Sequence, residues 1–264
     1  MRILLIGDVV GRPGRHAIRD LLPRVREQHR PDLVVCNVEN AAGGFGLTEP
    51  IGREILEAGV DVMTGGNHIW DKKGSEDYLA SEARLACPAN VPDAVPGRRW
   101  VVHEVDDLRV AVISLLGRIF MNPVDCPFRA LDSLLAELEE EADLFLLDFH
   151  AEATSEKQAM GLHADGRVSV VVGTHTHVPT ADTCILPQGT AFQCDLGMTG
   201  PYRSIIGMDE DAVMKKFLTG MPSRFEVARD DARLCGLLVD VDTWSGHATA
   251  VERIAVPLEP EEWR

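Results

Sequence analysis

The amino-acid sequence predicts an α/β fold, either one mixed sheet or two packed sheets with helices outside. Two features carry that prediction. Apolar runs of strand length alternate with amphipathic stretches over the first 70 residues, the pattern of right-handed strand–helix–strand units with parallel strands. Two later pairs of apolar runs, each joined by a short polar turn, read as antiparallel hairpins.

The elements follow in order. Ile3 to Ile6 is a buried strand that runs into Gly7 and Asp8. Residues 16 to 29 place Ile18, Leu21, Leu22 and Val25 on one helical face. Leu33 to Val38 is a second apolar strand. Thr48 is a helix N-cap, followed by Pro50, Ile51, Ile55 and Leu56, with Gly59 ending the helix. Val60 to Thr64 is a short third strand. Residues 70 to 99 are irregular, with a short helix near Ser75 to Leu79. Trp100 to Val105 and Leu108 to Leu116 flank Asp106-Asp107 as a hairpin. Residues 128 to 142 form the clearest helix, with Phe128, Leu131, Leu134, Leu135 and Leu138 aligned. Leu144 to Phe149 and Val168 to Val172 are strands, and Ser155 with Gln158 signals a capped helix between them. Leu234 to Val241 and Ala248 to Ile254 form the second hairpin around Thr243 to Gly246.

No Pro/Gly/Ser linker or repeat divides the chain, so residues 1–264 are expected to be one domain. A chain this long buries a full core without disulfide or metal staples. There are 26 Lys+Arg against 42 Asp+Glu, a formal charge of −16. That balance argues against a long nucleic-acid groove, which needs a basic stripe. It leaves room for a small phosphorylated ligand, because a local metal charge can dominate a site. No apolar run approaches the roughly 18 residues that span a bilayer, so no membrane association is expected. The first apolar stretch is too short for an export signal, and the six cysteines are scattered without a C-x-x-C pair. Reduced, cytoplasmic thiols are the expectation. A homo-oligomer is left open.

Polar residues fall where chemistry would need them. Five predicted strands end in metal-competent side chains: Asp8; Glu39-Asn40; Asn67-His68 after Gly65-Gly66; His150, with Glu152 beyond; and His175-Thr176-His177 after Gly173-Thr174. The carboxyl ends of parallel strands share one edge, where sites form. Singly, each has an ordinary reading: Asp8 as a cap, Asn40 and Asn67 as turn residues, His150 as a core histidine. Five strand ends equipped together are hard to reconcile with chance. The donors are oxygen and nitrogen without thiolate, which suits Mn²⁺, Fe or Zn²⁺. They are too many for one tetrahedral ion and enough for two octahedral-leaning ions sharing a carboxylate. Two ions about 3.5–4 Å apart can activate a water and hold phosphate oxygens. His68, beside a ligand and not on the metals, is suited to protonate a leaving oxygen.

Gly-Asp8, Glu39-Asn40, Gly66-Asn67-His68, His150 and Gly-Thr-His175-Thr-His177 together resemble the calcineurin-like metallophosphoesterases, and within them the bacterial YmdB-like branch, over nearly the whole chain. The resemblance implies a four-layer αββα sandwich of two mixed sheets with a dinuclear site at one end. It implies Glu39 bridging the ions, Asp8 and His177 on one, Asn67, His150 and His175 on the other, and His68 as general acid. Two departures stand out. The usual Asp-x-His is Asp8-Val9-Val10 here, and Asn40 would fill the missing histidine's place. The common Gly-Asn-His-Asp is Gly66-Asn67-His68-Ile69, so the motif does not say what orients His68. The implied activity is phosphodiester cleavage of cyclic nucleotides, 2′,3′-cyclic forms included, with bridging hydroxide as nucleophile and iron or manganese as the metals. The alternatives are a phosphomonoesterase or nucleotidase, and a slow metal-binding regulatory protein.

Other motifs lead elsewhere or nowhere. Gly7, Gly11 and Gly14 lack dinucleotide-binding spacing, and there is no P-loop. Ala42-Gly43-Gly44-Phe45-Gly46 reads as a plain turn or as a flap whose Phe45 stacks on a base. Arg12 and Arg15 are placed to reach a phosphate or to be solvated.

Overall fold

A computed structural model describes residues 1–259. In chain order the elements are β1 (Arg2–Ile6), α1 (Gly11–His29), β2 (Leu33–Asn37), α2 (Glu49–Glu57), β3 (Val62–Thr64), α3 (Glu76–Ser81), β4 (Leu85–Ala86), β5 (Trp100–Val105), β6 (Leu108–Leu116), α4 (Pro127–Glu137), β7 (Leu144–His150), α5 (Thr154–Ala164), β8 (Val170–Thr174), β9 (Cys184–Ile185), β10 (Ala191–Gln193), β11 (Gly200–Pro201), α6 (Glu210–Thr219), β12 (Ala232–Val241) and β13 (Ala248–Pro257).

The strands form two mixed sheets. The first runs β11-β12-β1-β2-β3-β4, with β13 also paired to β12. Strands β1 to β4 are parallel, and β12 is antiparallel to β1. The second runs β5-β6-β7-β8-β10-β9. Its four central strands are parallel and its edges antiparallel.

Alternation along the strands builds the layers, because successive side chains point to opposite faces. Ile3, Leu5, Leu33 and Val35 meet Val110, Val112, Leu144 and Leu146 between the sheets. Leu4, Ile6, Val34 and Cys36 point the other way, onto Ala17, Ile18, Leu21 and Leu22 of α1. On the far side, Ile113, Leu147 and Phe149 pack on Leu131 and Leu134 of α4 and Met160 of α5. The result is the αββα sandwich, with near-continuous apolar strands because both faces of each sheet are covered.

Several boundaries differ from the sequence reading. Helix α1 starts at Gly11 and not at residue 16. Pro13 is tolerated in its first turn, where backbone N–H groups have no partner in the helix. Gly14 lets that turn press on the Thr199 carbonyl, a site any side chain would block. The capping box at Ser155 and Gln158 is not used: α5 starts one residue before Ser155, with Ala153 as N-cap and no side-chain cap bond. Thr48 occupies the N-cap of α2, but its hydroxyl makes no cap bond either. Helix α4 stops at Glu137, short of residue 142. Among the described residues, no helix is long and apolar enough to cross a membrane.

Candidate metal centre

The strand ends meet. Asp8 follows β1, Glu39 and Asn40 follow β2, Asn67 and His68 follow β3, His150 closes β7, and His175 and His177 follow β8. His150 Nε2 lies 2.9 Å from Asn67 Oδ1, 3.1 Å from His175 Nδ1 and 3.2 Å from Glu39 Oε1. Asp8 Oδ1 is 3.8 Å from both His150 Nδ1 and His177 Nε2. Asn40 Nδ2 contacts Glu39 Oε1 at 3.0 Å and His177 Nε2 at 3.2 Å. All seven expected ligands and His68 therefore share one edge. Asp8, Glu39, Asn40, His150 and His177 are buried. Gly66 makes the close packing feasible, since a Cβ there would overlap the Glu39 carboxylate and the His150 ring.

The outer nitrogen of each imidazole is occupied by an acceptor. Thr174 Oγ1 spends its proton on Asp148 Oδ1 (2.6 Å), so His150 Nδ1 must donate to Thr174 (2.8 Å). His177 Nδ1 donates to the Ile206 carbonyl at 2.9 Å. His175 Nε2 donates to Glu152 Oε2 at 3.0 Å. These partners fix the tautomers and turn the three remaining nitrogens inward, as histidines that ligate metal are held. Asp148 is itself fixed by Thr64 Oγ1 at 2.6 Å and Asn37 Nδ2 at 2.9 Å, which ties the two sheets together beneath the cluster.

Two observations test whether a cation fits. Around His150 Nε2, a carboxylate oxygen, an amide oxygen and a second imidazole nitrogen converge, all electron-pair donors. Such a set is repulsive unless a proton or a metal ion sits in its midst. Asn40 Oδ1, moreover, is buried without a hydrogen-bond partner. A half-turn of the amide points that oxygen at Glu39 and His177, as a ligand would point. Ligand atoms of Glu39, His150 and His175 lie within 4.8 Å of one another. The residues fit a metal centre.

The electrostatics agree. Burial alone would push Glu39 up, but His150, with the His68 backbone N–H, holds it at about 2. Burial would lower His150, yet Glu39, Asp8 and Asp148 lift it to about 9. Asp8 is raised to about 6, chiefly by burial, with His177 and His150 opposing. His175 is lowered to about 3 by burial and then by the charge on His150. The field that favours a proton on His150 favours a cation at the same place.

The backbone around the two β8 histidines is strained: His175 has φ 96° and His177 φ 64°, outside glycine's usual company. Asp195 holds the residue between them. Its Oδ2 accepts from Thr176 N (3.1 Å), Thr176 Oγ1 (2.7 Å) and Lys157 Nζ (2.7 Å), and its Oδ1 accepts from Gly197 N (2.8 Å).

His68 faces the same cleft, its backbone N–H on Glu39 Oε2 at 2.8 Å. Asp71 Oδ2 takes its Nδ1 at 2.7 Å, so the orienting carboxylate absent directly after His68 is supplied three residues on. Arg15 is committed elsewhere, to Glu54 and the Ala41 carbonyl, and neither it nor Arg12 lines the cleft, which sets aside their phosphate-binding reading. Sequence reasoning missed Asp71, Asp148, Asp195 and Lys157. Asp148 carried a signal, as a carboxylate inside an otherwise apolar strand.

Paired mixed sheets ending in this mixed carboxylate, amide and imidazole cluster are the mark of a metallophosphoesterase, an enzyme class that works with divalent metal ions. Comparison narrows the class. A model of the YmdB-like protein family matches residues 4–254, and the chain belongs to that family. It is 46% identical, over 97% of both chains, to a 2′,3′-cyclic-nucleotide 2′-phosphodiesterase of Bacillus subtilis. A crystal structure of a Thermus thermophilus protein described as hypothetical superposes with TM-score 0.92 at 45% identity, covering 97% of this chain and 99% of that one. A Mycoplasma pneumoniae structure described as a novel phosphatase gives TM-score 0.93 at 34% identity, over 99% and 95% of the two chains.

Proposed function

We propose that this enzyme is a phosphodiesterase that opens 2′,3′-cyclic nucleotides at the 2′ oxygen, leaving a nucleoside 3′-phosphate. The observation that carries the reading is the set of inward-turned imidazole nitrogens and carboxylates with an oriented, non-ligating His68 beside it. The Bacillus relative, named for that activity, supports the substrate class.

Two ions, iron or manganese, suit the mixed oxygen and nitrogen donors. Asp8, Asn40 and His177 would hold one and Asn67, His150 and His175 the other, with Glu39 shared. When bound, such ions supply Lewis acidity to phosphate oxygens and lower the pKa of water. The side chains do the rest. Glu39 ties the two halves of the centre and fixes the His68 backbone through its N–H. Asp71 accepts from His68 Nδ1, so His68 in its imidazolium form has its Nε2 proton to give to the departing 2′ alkoxide as the P–O2′ bond breaks; a water oxygen joins phosphorus, and the proton that water sheds passes to solvent, from which His68 is reprotonated.

The test is product analysis with Mn²⁺- or Fe-loaded protein and 2′,3′-cyclic AMP. The 3′-phosphate should form, and Glu39→Ala and His68→Ala should each slow its formation by about 10²-fold or more while the fold persists. Preferred hydrolysis of nucleoside monophosphates would favour the phosphomonoesterase reading. Full activity in both variants would refute the assigned roles.

A further inference from the structure

The cleft over the cluster has a volume of about 540 Å³ and a lining of two chemical kinds, the ligand residues with their polar neighbours and a set of apolar side chains. The apolar wall is Phe45, Ile206, Met208, Phe217 and Phe225, with Lys216 among them. They come from the glycine-rich loop after β2, the turn before α6, α6 itself and the segment after it. Helix α6 buries only Val213, whereas Phe217 is 76% exposed. Met214 and Leu218 of the same helix are exposed too, and Phe217 is the one of the three that lines the cleft. The wall is continuous with the catalytic groups, because Phe45 meets the His68 ring edge-on with centroids 5.0 Å apart. The glycine-rich loop is seated against the same wall, since Gly44 packs where Val227 and Met208 leave no room for a side chain. Lys216 Nζ lies 4.9 Å over the Phe225 ring. Among the described lining residues other than the ligands, side-chain hydrogen-bonding groups come from His68, Glu152, Thr176 and Lys216, and the rest are apolar or glycine.

We infer that this wall is a nucleobase platform that is blind to the base edge. A cyclic phosphate held at the ligands leaves its ribose and base to the apolar part of the lining. Aromatic faces stack on any base, whereas telling bases apart needs donors and acceptors matched to their edges. Phe217 and Phe225, with Phe45, therefore select for a base without selecting which one. The inference rests on the phosphodiesterase reading above and adds what that reading leaves open, the part of the nucleotide that is recognised and the part that is not.

The experiment compares kcat/KM for the 2′,3′-cyclic phosphates of adenosine, guanosine, cytidine and uridine with that for methyl riboside 2′,3′-cyclic phosphate, which has no base. Metal-loaded parent and Phe217→Ala are measured side by side, with sedimentation to follow assembly. The four nucleotides should agree within about tenfold, and the base-less diester should be at least about tenfold poorer. Phe217→Ala should shrink the nucleotide-to-base-less ratio by about tenfold, through KM. A preference above about 100-fold for one base overturns the inference, as does equal use of the base-less diester. So does a Phe217→Ala effect on assembly with the ratio intact, which would assign the exposed ring to a second copy of the chain. If the parent cleaves other phosphoesters and no cyclic nucleotide, the phosphodiesterase reading fails and the platform with it.

Discussion

Replacing Lys157 by Met removes the ammonium that pairs with Asp195. Both residues are buried, Asp195 fully and Lys157 to 2% exposure. Asp195 keeps three neutral donors, two from Thr176 and one from Gly197, but loses the ammonium at 2.7 Å. Breaking a buried pair from one side costs about 3–5 kcal/mol, because the surviving charge is left uncompensated out of water. The consequence reaches the metal centre, since Asp195 is what holds Thr176 between two residues at positive φ, each of which stores about 1–3 kcal/mol of strain. Urea unfolding should therefore show Lys157→Met less stable by about 3–5 kcal/mol. Metal affinity, measured by competition with a chelator, should fall by about 10–100-fold, the usual effect of losing a group that orients ligands. The double variant Lys157→Met/Asp195→Asn removes both charges and should regain part of the stability lost by the single variant, while metal affinity stays low because the clamp on Thr176 is weakened. A Lys157→Met protein within about 1 kcal/mol of the parent and with unchanged metal affinity would refute this reasoning.

Three further outcomes are expected. Thr174→Val removes the acceptor that sets the His150 tautomer and should lower metal affinity by about 10–100-fold with little change in the circular dichroism spectrum. Asp71→Asn keeps the contact to His68 Nδ1 but weakens it, and should lower kcat while KM for cyclic nucleotides moves little; His68→Ala should cost about 10²–10⁴ in kcat. Arg2 pairs with Asp240 through two hydrogen bonds of 2.7 and 2.8 Å and holds that carboxyl below its ordinary range. A depressed carboxyl stabilises the fold above its unfolded value and loses that contribution as acid protonates it, so the urea midpoints of parent and Arg2→Gln should converge as pH falls from 6 to 3. The gap at neutral pH should be small and shrink with salt, because the two side chains are 41% and 34% exposed.

Much of the fold was legible because its strands are long, apolar and bounded by turns. The hairpin around Asp106-Asp107 appears with the boundaries its alternation predicts. The start of α1 was hidden by Gly11, Pro13 and Gly14, residues that locally read as a turn and that tertiary contact with Thr199 makes helical. The sequence reading assigns no element to residues 178–231. Strands β9, β10 and β11 are two or three residues long, and α6 turns only Val213 inward. The ligand candidates were legible because strand ends announce themselves locally. Their supports were not: Asp148 reaches Asn37 and Thr64 in the other sheet, and Asp195 reaches Lys157 on α5, pairings that exist only after the sheets pack. Asp71 escaped notice because the carboxylate sits three positions after His68, where the shared turn and not the motif brings it back.

Side chains from five strand ends are proposed to form one centre for a pair of ions. Metal content per chain, measured on purified protein after saturation with Mn²⁺ and removal of excess, tests it most directly. Two ions per chain are expected, falling below two on Glu39→Ala; a parent protein that retains none, or a Glu39→Ala protein that retains both, would rule the paired centre out.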